Sequence, residues 1–165
     1  MEDNLVTTPT PFSNIYQWFL GFITDDMYVS YEWTEEEVKA EEENILLLAL
    51  PDFEFPRFDI LNYDIANATF HGTLTKEEEK ILGRLMMIAW LQRNIADIEL
   101  VRQKYSGSDF KLTSQASHLI SLTALKKQFL EEDKHAQRLY KRRKNLDTGF
   151  IASNWSSAFS RSAIK

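Results

Sequence analysis

At 165 residues, with 44% apolar and 13% aromatic side chains, the chain has ample material for one compact core and is not a disordered polypeptide. It contains no cysteine, which excludes disulfides, a thiolate nucleophile and cysteine-ligated zinc or iron–sulfur centres, and an intracellular or virion setting is expected over a disulfide-stapled secreted one. The net charge of −6 conceals a split: residues 1–75 hold 15 acidic and 2 basic side chains (−13), whereas residues 76–165 hold 10 and 17 (+7).

A chain acidic in one part and basic in the other suits complementary surfaces, either copies of itself in head-to-tail contact or a partner of alternating sign. The start, Met1 to Pro11, is acidic and polar where a signal peptide has a basic start and an apolar run. The longest uncharged apolar stretch, Ile45 to Pro51, is too short to span a bilayer. A soluble protein with no membrane partner is expected.

In chain order, Phe12 to Ile23 is crowded with aromatics (Phe12, Tyr16, Trp18, Phe19, Phe22) and reads as a short packing helix. Thr34 followed by Glu37 is a capping-box signature, and Glu35, Glu36 and Glu37 suit the positive end of a helix dipole. That helix is expected from about Glu35 to Ala49, stopping before Pro51. From Pro51 to Gly72 the pattern alternates (Phe53, Phe55, then Phe58, Ile60, Tyr63 and Phe70), which predicts extended chain with one or two short strands.

Thr75 and Glu78 repeat the capping box, and Ile81, Leu85, Ile88, Leu91, Ile95, Ile98 and Val101 recur at spacings of three and four, predicting a helix from Lys76 to Lys104. Ser106, Gly107, Ser108 and Asp109 supply turn chemistry, with Gly107 suited to a left-handed backbone. A second series (Leu112, Ala116, Leu119, Leu122, Leu125, Phe129, then Ala136, Leu139 and Tyr140) predicts a helix to about Lys144. Two helices of about 45 Å each, joined by so short a turn, must run antiparallel. The expected fold is mainly α, a long antiparallel helical hairpin with shorter N-terminal helices, an extended segment and a C-terminal arm. Its parts are an acidic N-terminal region (1–75), the hairpin (76–144) and the arm (145–165).

The hairpin cannot by itself bury a stripe as wide as Leu82, Leu85, Met86, Ile88, Ala89, Trp90 and Leu91, so the N-terminal helices or neighbouring subunits must cover it. Met86, Met87 and Trp90 read as core and not as a ligand pocket.

Arg138, Lys141, Arg142, Arg143 and Lys144 form the strongest local charge run. Three readings fit it: a solvated helix end complementing the dipole, a docking site for an acidic protein surface, or a phosphate-binding patch. The pI of about 5.1 argues against nonspecific nucleic-acid binding as the main role. Beyond it, Asn145 to Lys165 is Ser-rich with widely spaced Phe150, Ile151, Trp155 and Phe159, too few apolar groups for a domain and too many for an inert linker. An arm that orders on a partner fits this composition; a tail folding back on its own hairpin is the alternative.

Catalytic signals are poor, and no catalytic residue, metal ligand or cofactor is expected. Glu132-Asp133-Lys134-His135 has the Glu-x-x-His spacing of di-iron bundles, which need two such motifs and two further carboxylates. His71 and His118 lack a motif-like frame, although Ser117, Ser121 and Asp109 lie near His118 in sequence. The 5 glycines are scattered and form no phosphate loop.

The segment Gln103-Lys104-Tyr105-Ser106-Gly107-Ser108-Asp109-Phe110-Lys111-Leu112-Thr113-Ser114-Gln115-Ala116-Ser117-His118-Leu119, followed by Arg138-Leu139-Tyr140-Lys141-Arg142-Arg143, resembles virion proteins of tailed bacteriophages. It is most similar to small helical neck proteins, the head-tail connector or adaptor rings under the portal, including those of crAss-like phages. The resemblance covers the hairpin, about half of the chain. It implies a homo-oligomeric ring around the DNA channel, assembled in the bacterial cytoplasm and placed at the virion neck, with the portal and other neck or tail proteins as partners and non-specific contact with packaged DNA. It makes Phe150, Trp155 and Phe159 anchors of an arm reaching the portal. A tail or baseplate protein and a small nucleic-acid-associated helical protein are the alternatives.

Overall fold

The computed structural model describes residues 8–23, 33–104 and 113–147. The elements follow in the order β1 (Thr10–Pro11), α1 (Phe12–Leu20), α2 (Glu35–Ala49), a 3-10 turn (Leu50–Asp52), β2 (Tyr63–Asp64), β3 (Thr69–Phe70), α3 (Lys76–Lys104) and α4 (Thr113–Asp147). The mainly helical fold and the long hairpin are as the periodicity predicts. α1 ends three residues before the expected Ile23, in a turn where the amides of Gly21, Phe22 and Ile23 bond back to the last carbonyls of the helix. α4 runs three residues beyond Lys144.

Helix α3 packs against α1, α2 and α4. Its first half is therefore buried on nearly every side, and Ile81, Leu82, Leu85, Met86, Met87, Ile88, Trp90 and Leu91 are all at most 8% exposed. The wide apolar stripe is covered inside the monomer by the two N-terminal helices, and Met86, Met87 and Trp90 belong to the core. Side chains from both the acidic region and the hairpin contribute to this one cluster, from Phe12 to Tyr140.

The hairpin register is set by polar pairs: Glu77 with Arg143, Glu78 with Tyr140, and Gln92 with Lys126. Each pair of numbers sums to about 219, so α3 and α4 are antiparallel with the reversal between 104 and 113. The turn residues Ser106 to Asp109 lie outside the described residues. On another side of α3, Arg93 meets Glu41 of α2 at 2.7 Å, and the 3-10 turn packs near the start of α3, so α2 runs antiparallel to α3.

The stretch from Pro51 to Gly72 holds the two expected short strands. They form an antiparallel sheet of order β1-β3-β2, with Thr10 opposite Phe70 and Tyr63 on the other side of Phe70. The alternating aromatics serve the core: Phe70 packs at a tilt against Phe12, with ring centroids 4.8 Å apart, and Phe53 against Tyr140 at 5.7 Å. The β2–β3 turn is closed by Asp64, which accepts from the amide and the side chain of Asn67, and it places Ala68 at a positive φ of 50°. Ala68 in turn offers its carbonyl to the amide of Phe12 at 2.8 Å, satisfying the start of α1, which has no side-chain cap.

Gly83 lies where α1 crosses α3. A Cβ there would meet the Trp18 Cβ at 2.5 Å and the Phe19 amide nitrogen at 3.1 Å. Helix propensity alone favours Ala over Gly by about 1 kcal/mol. The closeness of the crossing reverses that sign, and Gly83→Ala is expected to destabilise the protein by about 1–3 kcal/mol through separation of α1 from α3, read by denaturant unfolding.

Candidate functional site

The cationic run at the end of α4 is the feature the sequence singles out, and its placement depends on three consecutive glutamates in the first turn of α3. Glu78 is fully buried. It closes the capping box with Thr75, accepting from that residue's amide at 2.7 Å, and it also receives a two-pronged hydrogen bond from Arg57 at 2.8 and 2.7 Å and the Tyr140 hydroxyl at 2.5 Å. Burial works to raise the Glu78 pKa, but the bonds from Arg57, Thr75 and Tyr140 outweigh it and hold the carboxyl below its ordinary range. Glu79, 2% exposed, faces α1 and accepts from Asn14 at 3.1 Å, from the Trp18 indole at 3.4 Å and from Lys76 at 2.7 Å. Glu77 pairs with Arg143 at 3.1 Å.

The last turns of α4 are fixed in two further places. The Gln137 carboxamide accepts from the Glu54 amide at 2.8 Å and donates to the Asp52 carbonyl at 3.2 Å, pairing with that loop as a neighbouring strand would. It also donates to Asp133 at 2.6 Å. Asp133 is 2% exposed, and its second oxygen, like the Nε of Arg84, is buried without a hydrogen-bond partner among the described residues. Burial pushes its carboxyl up to about 6, with Asp52 and Glu54 adding to the rise while Gln137 and Arg84 oppose it.

These anchors divide the cationic run. Arg143 is engaged with Glu77, and Lys141 sits over the Phe55 ring at 4.2 Å. Arg138 and Arg142 are exposed. Lys144 lies on α4 at a position whose side chain is outside the described residues. Phe150, Ile151, Trp155 and Phe159 also lie outside them, in the segment that continues from the end of α4.

Among the described residues, Glu132 and His135 are exposed on α4, while Asp133 between them points into the core. No group of three or more His, Asp or Glu side chains that could hold a metal occurs among the described residues. His71 and His118 are exposed, the Ser121 hydroxyl is donated to the Ser117 carbonyl, and Asp109 lies outside the described residues. No helix among the described residues is long and apolar enough to cross a membrane.

A second feature escapes sequence reasoning. A cavity of about 530 Å³ opens between α1, the first half of α2 and the β2–β3 turn, with Pro11, Tyr16, Trp33, Val38, Glu42 and Ala68 among its walls. The Tyr16 hydroxyl is buried without a partner among the described residues, closed off from the cavity that its residue helps to line. Burial, with the negative charges of Glu43 and Glu42, raises the Tyr16 pKa and keeps the phenol a hydrogen-bond donor. Glu42 is 8% exposed, and burial raises its pKa as well. Nothing in the sequence places α2 opposite Tyr16, so the cavity has no sequence signature. The inward position of Asp133 and Gln137 did have one: steps of four, four and three from Phe129 through 133 and 137 reach Tyr140 along the apolar stripe.

Two outcomes are expected from this arrangement. Tyr140→Phe removes one bond to a buried carboxylate and should cost about 2 kcal/mol of unfolding free energy, with the fold retained. The Asp133 pKa of about 6 lies above the unfolded value near 3.9, so the folded state holds this proton more tightly. This group's contribution is present at low pH and is lost as pH rises from about 4 to about 6. The stability of Asp133→Asn relative to the parent should therefore climb across that window and level off above about 7, measured by urea unfolding at a series of pH values. No protein-family model, curated protein or solved structure matches the chain.

Proposed function

We propose that the protein is a structural subunit of a multi-protein assembly, a head-tail connector ring at the neck of a tailed phage, with the end of α4 as its docking surface. The observation that carries this reading is the way α4 ends. Tyr140, Gln137 and Arg143 fix the helix to α3 and to the Asp52–Glu54 loop, while Arg138 and Arg142 remain exposed beside the point where the aromatic segment continues. A rigid cationic end followed by spaced aromatics suits recognition of an acidic protein surface by charge and its retention by buried rings. Binding is the mechanism; no bond-making step is invoked.

Because the wide stripe of α3 is already covered by α1 and α2, contacts between copies would use the outer helix faces. Leu100 and Ile120, 55% and 70% exposed on the distal hairpin, are available for them. The portal is the proposed partner on the strength of the resemblance to neck proteins, and packaged DNA is a secondary contact of the same cations.

The test is the mass in solution of the full chain, alone and with the portal protein of its own virion, compared with the Arg138→Glu/Arg142→Glu variant. A ring-sized complex that the variant loses by about tenfold in affinity is expected. Absence of any association at low or moderate salt would overturn the portal contact. Salt-sensitive DNA binding by the free monomer, removed by Arg142→Ala/Arg143→Ala, would favour the nucleic-acid reading instead.

A further inference from the structure

We infer that the cavity between α1, α2 and the β2–β3 turn is a socket for a second copy of the chain, whose exposed arginines at the end of α4, Arg138 and Arg142, supply the inserted side chain. The Glu42 carboxylate sets the requirement. This residue lines the cavity and is 8% exposed, yet it makes no hydrogen bond or ion pair among the described residues. Neither of its oxygens is among the sealed, unpartnered atoms, so they keep access to the space that the residue lines. Lys39, the single cation among the described wall residues, is exposed and forms no ion pair with Glu42 or Glu35 there. A buried carboxylate left unpaired is unfavourable, and a cation carried in by a partner relieves it.

The walls narrow the choice of cation. Pro11 and Val38 offer apolar surface to the methylene stem of a long side chain, and Trp33, itself 44% exposed, offers a ring. A planar guanidinium stacks on an indole and meets a carboxylate with two N–H groups at once, which an ammonium does not. The volume of about 530 Å³ admits the whole side chain.

The chain carries such groups at the end of α4. Among the described arginines, Arg57, Arg93 and Arg143 are paired with glutamates, and Arg84 lies over the Phe22 ring with its Nε buried. Arg138 and Arg142 are exposed, stand one turn apart and form no ion pair among the described residues. They are held away from their own cavity. Tyr140 between them is bonded to Glu78, Gln137 is bonded to the Asp52–Glu54 loop, and the described walls include no residue of α3, α4 or that loop. Donor and socket therefore meet between copies. A contact that joins two different surfaces is heterologous and adds copy after copy, in a closed ring or an open chain. The surroundings agree in sign: Glu35 and Glu36 are exposed at the start of α2, and Lys134 and Lys141 are exposed within four residues of the arginines.

This contact deepens the assembly reading, on which it rests, by naming the surfaces that join copies; its test omits the portal, so the two can fail separately. In sedimentation velocity over a series of concentrations, the full-length parent should grow beyond the dimer. Glu42→Gln should weaken that association by about tenfold or more, as should Arg138→Glu/Arg142→Glu. Trp33→Ala should weaken it a few fold, whereas Glu36→Gln, an equal loss of charge outside the cavity, should leave it within about twofold. An equimolar mixture of Glu42→Gln and Arg138→Glu/Arg142→Glu chains retains one intact donor and one intact socket, and should give a dimer and nothing larger. Because Glu42→Gln removes an unpaired buried charge, its urea unfolding midpoint should not fall, which separates a lost contact from a lost fold. A parent that stays monomeric or stops at a dimer, association indifferent to Glu42→Gln, or a mixture that forms no dimer would overturn the inference. The expected pattern without any portal complex would support the socket and remove only the portal contact.

Discussion

Three successive carboxylates at the start of α3 hold the structure together, each directed at a different neighbour. Glu77 reaches the end of α4, Glu78 joins the Arg57 loop to Tyr140, and Glu79 receives Asn14 and Trp18 of α1. Helical residues advance by about 100° each, so three in a row point outward around most of the axis. Placed in the first turn they also stand at the positive end of the helix dipole, a favourable position for acidic side chains. Burying Glu78 and Glu79 is tolerable because their oxygens are supplied with donors; without Arg57, Tyr140 or Lys76 the same burial would be strongly unfavourable.

The consequence is a hairpin that is enclosed at its base and more open in the described residues farther along it. Near the base, α3 is enclosed by α1, α2 and α4, with Gly83 allowing the backbone of α1 to come within contact distance. Farther along the described residues, Leu100 of α3 is 55% exposed and Ile120 of α4 is 70% exposed. The apolar stripe, for which either the N-terminal helices or a neighbouring subunit could serve as cover, is satisfied within one chain. Any association between copies therefore rests on the outer surfaces, where charge sets orientation and rate more than it sets affinity.

The split of charge between the two parts of the chain has an internal expression as well. Arg93 answers Glu41 of the acidic region, and Arg57, one of its two cations, is drawn into the hairpin by Glu78. These contacts use few of the charges. Three of the six acidic side chains of α2, Glu35, Glu36 and Glu37, are exposed. Part of the electrostatic asymmetry thus lies on the surface of α2.

Helix positions were legible because they follow from local chemistry. The Thr34–Glu37 and Thr75–Glu78 boxes mark two helix starts, Pro51 marks a stop, and the three-and-four spacing from Ile81 onward marks the core face. The cysteine-free composition and the charge split were likewise present in the sequence. Only the tertiary structure decided what those elements meet. That Phe12 draws its amide partner from Ala68, that Gln137 pairs with the Asp52–Glu54 loop and that Tyr16 lines a cavity beside α2 all depend on residues roughly 50 to 85 positions apart, or on helices whose relative placement no short-range pattern encodes. Local periodicity specifies which face of a helix is apolar; the partner that covers it is selected by packing across the whole chain.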